Sequence, residues 1–201
     1  MYAISVSHPD KVYRDRTVDF FNQHIEAAVQ LDCDHMVVST GFAYLDVDAE
    51  DAFGWCAEAM GRIARKAEQE GVTLAVEPFT KYTTHICNEA SQLRRLLRTV
   101  NSPRLTGLAD TDVIATTAVD TFSTFLDVIG PENLGHVHFV DGNPGGHLVP
   151  GDGVLNLDGA LEKLKAIHYT GALGLEVLDR RYVFAPEAAM KQAMDWYKER
   201  I

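Results

Sequence analysis

Six short runs along the chain are rich in strand-forming residues, and each is followed by a stretch whose apolar residues recur every three or four positions. The runs are YAISVS (2–7), HMVVST (35–40), TLAVEPF (73–79), RLTGLAD (104–110), GHVHFVD (135–141) and GALGLEVL (171–178). The stretches between them predict helices over roughly 14–31, 49–70, 89–100, 118–129, 157–168 and 185–200. In the second helix Phe53, Cys56, Met60, Ile63 and Ala67 share one face. Gly71 stops that helix as a C-terminal glycine should. Asn88 is read as the N-cap of the third helix, with Glu89 in its first turn. Leu93, Leu96, Leu97 and Val100 form its apolar stripe.

Strands that alternate with helices imply βα units and a parallel sheet. In an open doubly wound sheet both faces are covered, and strands read as continuous apolar runs. In a closed barrel one face meets the helices and the other meets a shared axis. Here the strands alternate. Leu74 and Val76 oppose Ala75 and Glu77; Val137 and Phe139 oppose His136 and His138; Leu173, Leu175 and Val177 oppose Gly174 and Glu176. No GxGxxG follows the first run, which weakens the dinucleotide-fold option. The pattern favours a (β/α)8 barrel, with six βα units where eight are expected.

The chain has 201 residues and is read as one domain over 1–201. A net charge of −11 argues against nucleic acid or an anionic membrane surface as partner. Cys33, Cys56 and Cys87 are sparse and unpaired in sequence, which suits a reducing compartment. The N-terminus lacks a basic segment followed by a long apolar one, so no signal peptide is expected. No apolar run is long enough for a bilayer. The default is a cytoplasmic soluble protein.

Four successive strands then deliver one ionisable residue each near the same end: Glu77, Asp110, His138 and Glu176. Parallel strands bring those ends to one face, where barrels carry their chemistry. Carboxylates with one imidazole suit Mn2+, Mg2+ or Co2+, and the lack of thiolates argues against a structural zinc site. Singly each residue has an ordinary explanation: a solvated strand end, a cap before Thr111-Asp112, a core or surface histidine. Matched positions on consecutive strands point to a metal site. His136 shares a face with His138 one pleat deeper and is assigned to packing or to support of the site. His147, in the loop GGHLVPGDG, is either a substrate contact or an ordinary loop histidine. His8, His24, His35 and His168 are assigned to structure or surface.

VEPF, GLAD, GHVHFVD with the later PGDG, and GLEV resemble, in order and spacing, the last four strand motifs of the xylose-isomerase-like sugar phosphate isomerases/epimerases. EPFTKYTTHICN, followed by SPRLTGLAD, looks closest to the fructoselysine 3-epimerase branch. The likeness covers nearly the whole chain. It implies a divalent metal, most often Mn2+, held by Glu77, Asp110, His138 and Glu176, with the second histidine of HxH as the ligand. It also implies that Glu77 and Glu176 form an acid/base pair acting through an enediolate of a ketose or sugar derivative.

Some of the family's positions differ. Where ketohexose 3-epimerases carry a Glu, a His and an Arg, this chain has Thr83, Val113 and Pro144, whereas His85 and Asn88 match that frame. His85 and His147 are the expected substrate contacts. A free ketohexose fits poorly; a sugar-amine such as fructoselysine fits better. Aligned on the family, YAISVS becomes the third strand, and the first two βα units are missing, so an N-terminally truncated or misassigned start is expected. Self-association into a homo-oligomer is expected as well. The competing readings are a dehydratase of the inosose type, an endonuclease of the apurinic-site type, which the charge disfavours, and an inactive barrel fragment.

Overall fold

The computed structural model describes residues 5–42, 44 and 46–201. Its sheet has five parallel strands in the order in which they occur in the chain: β1 His35–Ser39, β2 Thr73–Glu77, β3 Leu105–Asp110, β4 Leu134–His138 and β5 Leu173–Gly174. A doubly wound sheet reverses its strand order at a switch point. This one never does, and the strands form a half-barrel wall. Among the described residues β1 and β5 are its edges.

Helices α1 Lys11–Gln30, α2 Ala49–Glu70, α3 Ala90–Val100, α4 Thr111–Thr117, α5 Phe122–Ile129, α6 Leu157–Ala166 and α7 Pro186–Lys198 connect and flank the strands. Asp10 and Asp48 cap α1 and α2 through side-chain bonds to Val12 N–H and to Glu50 and Asp51 N–H. Gly71 ends α2 at φ 77°, a left-handed conformation that costs glycine little.

One core lies between the helices and the outer face of the sheet. Val38, Leu74, Val76, Ala109 and Val137 pack there against Phe53, Met60, Ile63, Leu93, Leu96, Phe125 and Ile129. Gly107 sits where a Cβ would come within 2.8 Å of Leu93 Cδ2, so α3 can approach β3 closely. Arg62 of α2 reaches Asp15 of α1 at 2.6 Å, tying the two helices, and Lys11, one turn earlier on α1, reaches the same carboxylate at 2.8 Å.

Four expectations need correction. Residues 2–4 of the first predicted strand lie outside the described residues, and Ser5–Ser7 are not in a strand; Ser7 instead bonds the Thr40 carbonyl beside β1. The last strand is confined to Leu173–Gly174, so Glu176 follows the strand rather than lying within it. The helix expected over 118–129 begins only at Phe122, as α5, and it is preceded by an unexpected helix, α4, which ends at Ala118, whose φ of 57° cannot continue a helix. Asn88 does not cap α3. The cap position is Glu89, with no side-chain bond, while Asn88 donates to the Thr84 carbonyl and the Ala90 N–H is taken by Asp120. Among the described residues no helix is long and apolar enough to cross a membrane.

Candidate metal centre

Register builds the site. Asp110 is paired with His138 across β3 and β4, and His138 with Gly174 across β4 and β5. Residues level with each other on parallel strands share a face, so Asp110, His138 and Gly174 all look inward. Two residues beyond Gly174, Glu176 returns to that face. Val76 is paired with Gly107, which brings Glu77 level with Leu108, on the same side as Asp110.

The four predicted side chains meet. One ligand atom from each of Glu77, Asp110, His138 and Glu176 lies within 4.8 Å of the other three. His138 Nδ1 is 2.8 Å from Glu77 Oε1, 3.2 Å from Glu176 Oε2 and 3.5 Å from Asp110 Oδ2. Asp110 divides its carboxylate. Oδ1 caps α4, accepting from Asp112 N–H at 2.7 Å and Val113 N–H at 2.8 Å. Oδ2 is fully buried, accepts no well-formed hydrogen bond, and faces the other three residues. Asp110 is therefore both the cap that its DTD context suggests and a member of the site.

Gly174 makes room for the imidazoles. A Cβ there would stand 2.9 Å from His136 Nε2 and 3.1 Å from His138 Cδ2. His136 lies edge-on to His138 at 5.3 Å between ring centres. It supports the ring from below, as its deeper pleat suggests.

Three acids in a small volume hold protons on the imidazoles. Burial disfavours the charged form of His138, but bonds to Asp110, Glu176 and Glu77 outweigh it and push its pKa up to about 11. His147 is driven up to about 12 against the same burial, by Asp110, Asp112 and Glu176. Glu176 is pulled down to about 2 by hydrogen bonds from His138 and His147, outweighing its burial. Burial raises Glu77, partly offset by His138. Asp110 is lowered despite burial, because His138 and His147 face it. Desolvation and the neighbouring His138 lower His136. Such a set demands positive charge. A divalent cation among these oxygen and nitrogen donors would supply that charge in place of the shared protons.

Of the two expected substrate contacts, His147 reaches the cluster: its Nε2 is 3.3 Å from Asp110 Oδ2 and 3.5 Å from Glu176 Oε2. His85 lies in the loop after β2, its Nε2 buried and without a hydrogen bond among the described residues. No ion pair joins His85 to the cluster among the described residues. Asp112 is a residue that sequence reasoning missed; its carboxylate meets His147 Nδ1 at 2.9 Å. The only sequence signal was its place two residues after Asp110.

The loop carrying His147 is wound around another buried acid. Asp141 accepts N–H bonds from Gly142, Gly151, Gly153 and Leu155, at 2.8 to 3.0 Å. Its own backbone pairs with Leu148 across the loop. GHLVPGDG is thus a fixed structure rather than a loose connection.

A family model described as a xylose isomerase-like TIM barrel matches residues 1–200. The fructoselysine 3-epimerase of Shigella flexneri is 25% identical over 199 residues, covering 98% of this chain and 71% of the relative. Among solved structures, the apo form of a 3-keto-D-glucoside 4-epimerase from E. coli superposes with a TM-score of 0.87 at 18% identity, covering 99% of this chain and 76% of that one. A structure described as IOLI protein with a bound zinc atom superposes with a TM-score of 0.82 at 18% identity, covering 96% and 72%. At those identities the two structures speak for the fold.

Proposed function

Because the chain belongs to the xylose isomerase-like TIM barrel family, we propose that it is a divalent-metal-dependent epimerase or isomerase of a ketose or a ketose-amine such as fructoselysine. The observation that carries this reading is the convergence of Glu77, Asp110, His138 and Glu176, with ligand atoms within 4.8 Å of one another. We assign those four as the ligands. Manganese is the ion best suited to three carboxylates and an imidazole, with Mg2+ and Co2+ as substitutes. The 25% identity to a fructoselysine 3-epimerase supports the substrate class.

When bound, the ion supplies positive charge beside the oxygens of the reacting carbons. The side chains do the proton work. Glu77 comes from the end of β2 and Glu176 from just past β5, so they flank Asp110 and His138 from opposite sides. One glutamate removes the proton from carbon beside the carbonyl, leaving an enediolate. The other returns a proton to the opposite face, inverting the centre, or to the neighbouring carbon, giving the isomer. His85 and His147 are assigned to the sugar's polar groups. Three free cysteines, two of them buried, accord with a reducing compartment such as the cytoplasm.

The test is proton exchange. Protein loaded with Mn2+ and given fructoselysine in D2O should place deuterium on the carbon beside the carbonyl, read by NMR, and a chelator should abolish the incorporation. Exchange with free ketohexoses is expected to be slower. No exchange from any ketose by metal-loaded protein would remove the epimerase reading, and loss of water from a cyclic polyol ketone would replace it with a dehydratase.

A further inference from the structure

Asp112 is 2% exposed, and the groups it holds all belong to one loop. It accepts from Gly145 N–H at 2.6 Å and from His147 N–H at 3.1 Å, and its Oδ2 meets His147 Nδ1 at 2.9 Å. Gly142 lies so close that a Cβ there would collide with Asp112 Oδ1. His147 itself has φ 49°, a left-handed backbone uncommon for residues other than glycine. The loop has accepted an unfavourable conformation, and what it gains is one defined position for an imidazole.

That position is specific. Nδ1 faces Asp112, and Nε2 is the nitrogen that faces Asp110 Oδ2 at 3.3 Å and Glu176 Oε2 at 3.5 Å. His138 Nδ1 faces the same two oxygens at 3.5 and 3.2 Å. Two imidazole nitrogens thus flank one pair of carboxylate oxygens. Donors that share an ion through bonds of ~2.1 Å stand ~3.0–3.4 Å apart along the edges of an octahedron or tetrahedron. The distances from His147 Nε2 to Asp110 Oδ2 and Glu176 Oε2 are close to those between cis ligands. An acid on the far nitrogen is also the usual support of a ligating histidine, fixing its tautomer and raising its basicity.

We propose that His147 Nε2 is a fifth donor to the ion and that Asp112 is its positioning residue. This rests on the metal-dependent reading above and narrows the role given there to His147: it meets the sugar at the ion. A second imidazole moves the donor set away from magnesium and toward Mn2+, Co2+ or Zn2+.

The test is metal binding without substrate. Wild type, His147→Gln and Asp112→Asn are compared by calorimetry with Mn2+ and by visible absorption with Co2+, each checked for folding by circular dichroism. Both substitutions should weaken Mn2+ binding ~10–100-fold, and His147→Gln should also change the Co2+ spectrum as a nitrogen donor is lost. If the loop yields in these variants, His147→Ala supplies the control: imidazole in solution should restore its Mn2+ affinity. An affinity and spectrum unchanged in folded His147→Gln, or no rescue of His147→Ala, overturns the assignment while leaving the four-ligand site intact. A wild type that binds no ion overturns the metal reading and this inference together.

Discussion

The two faces of the sheet are built on opposite terms. Outward, Leu74, Val76, Ala109 and Val137 are sealed under helices and carry no polar group. Inward, the same strands turn Glu77, Asp110, His136 and His138 toward one another, and Val37 of β1 is left 41% exposed. A strand of five residues therefore does two jobs in alternate positions. The outer positions supply hydrophobic burial, which dominates folding. The inner positions forgo that gain and gather three carboxylates, whose mutual repulsion is offset by the imidazoles of His138 and His147 facing them. The lesson is a separation of duties: substitutions outside should change stability with little effect on chemistry, and substitutions inside should do the reverse.

The strongest challenge to that separation is Glu176→Gln. Loss of one of two proton-transfer groups should slow deuterium incorporation ~10²–10⁴-fold, while the melting temperature of the apo protein falls only slightly at neutral pH, as the carboxylate that His138 and His147 hold ionised is lost. Unchanged exchange would take Glu176 out of the proton work. The outer counterpart is Leu74→Ala, at a residue with no exposure. It should cost ~2–5 kcal/mol in urea unfolding and leave the stoichiometry of Mn2+ binding as it was. Gly174→Ala probes the boundary between the faces. Its methyl must displace the His136 or His138 ring, and Mn2+ affinity should fall ~10-fold with little change in stability.

The smallest effect lies away from both faces. Lys11 and Arg62 hold the Asp15 carboxyl down to about 2, below its ordinary range. The folded state ionises Asp15 more readily than the unfolded chain does. Its contribution is therefore complete above the unfolded pKa of ~3.9 and fades as pH falls through about 2. The Asp15 side chain is more than a third exposed, so Asp15→Asn should make only a slight difference at neutral pH and flatten the acid limb of a pH–stability curve.

The inner and outer faces were legible because the strand period is two: a ligand among apolar neighbours stands out in AVE, LAD and HVH. Gly71 and the stripe of α2 were legible for the same kind of reason, a long regular pattern with a stop. Helix α4 was not. TDVIATT is one short element rich in β-branched residues, which are poor helix formers. It forms because Asp110 caps it and because Val113 and Ile114 are buried. Asn88 misled because its amide is spent on Thr84, a contact within its own loop that no cap rule anticipates. Asp112 and His147 are 35 residues apart, and only the folded chain brings them together.

The knot around Asp141 has a consequence for how such a site changes over time. Its four ties go to main-chain amides, which every residue but proline provides. The loop's shape fixes its glycines, since Gly142 and Gly153 leave no room for a Cβ and Gly145, Gly146 and Gly151 take a positive φ, but it sets no such demand on exposed positions such as Asn143 and Val154. New residues can be tried at the mouth of the barrel, one after another, while the frame that presents them stays fixed, which makes this segment the natural place for a change of diet.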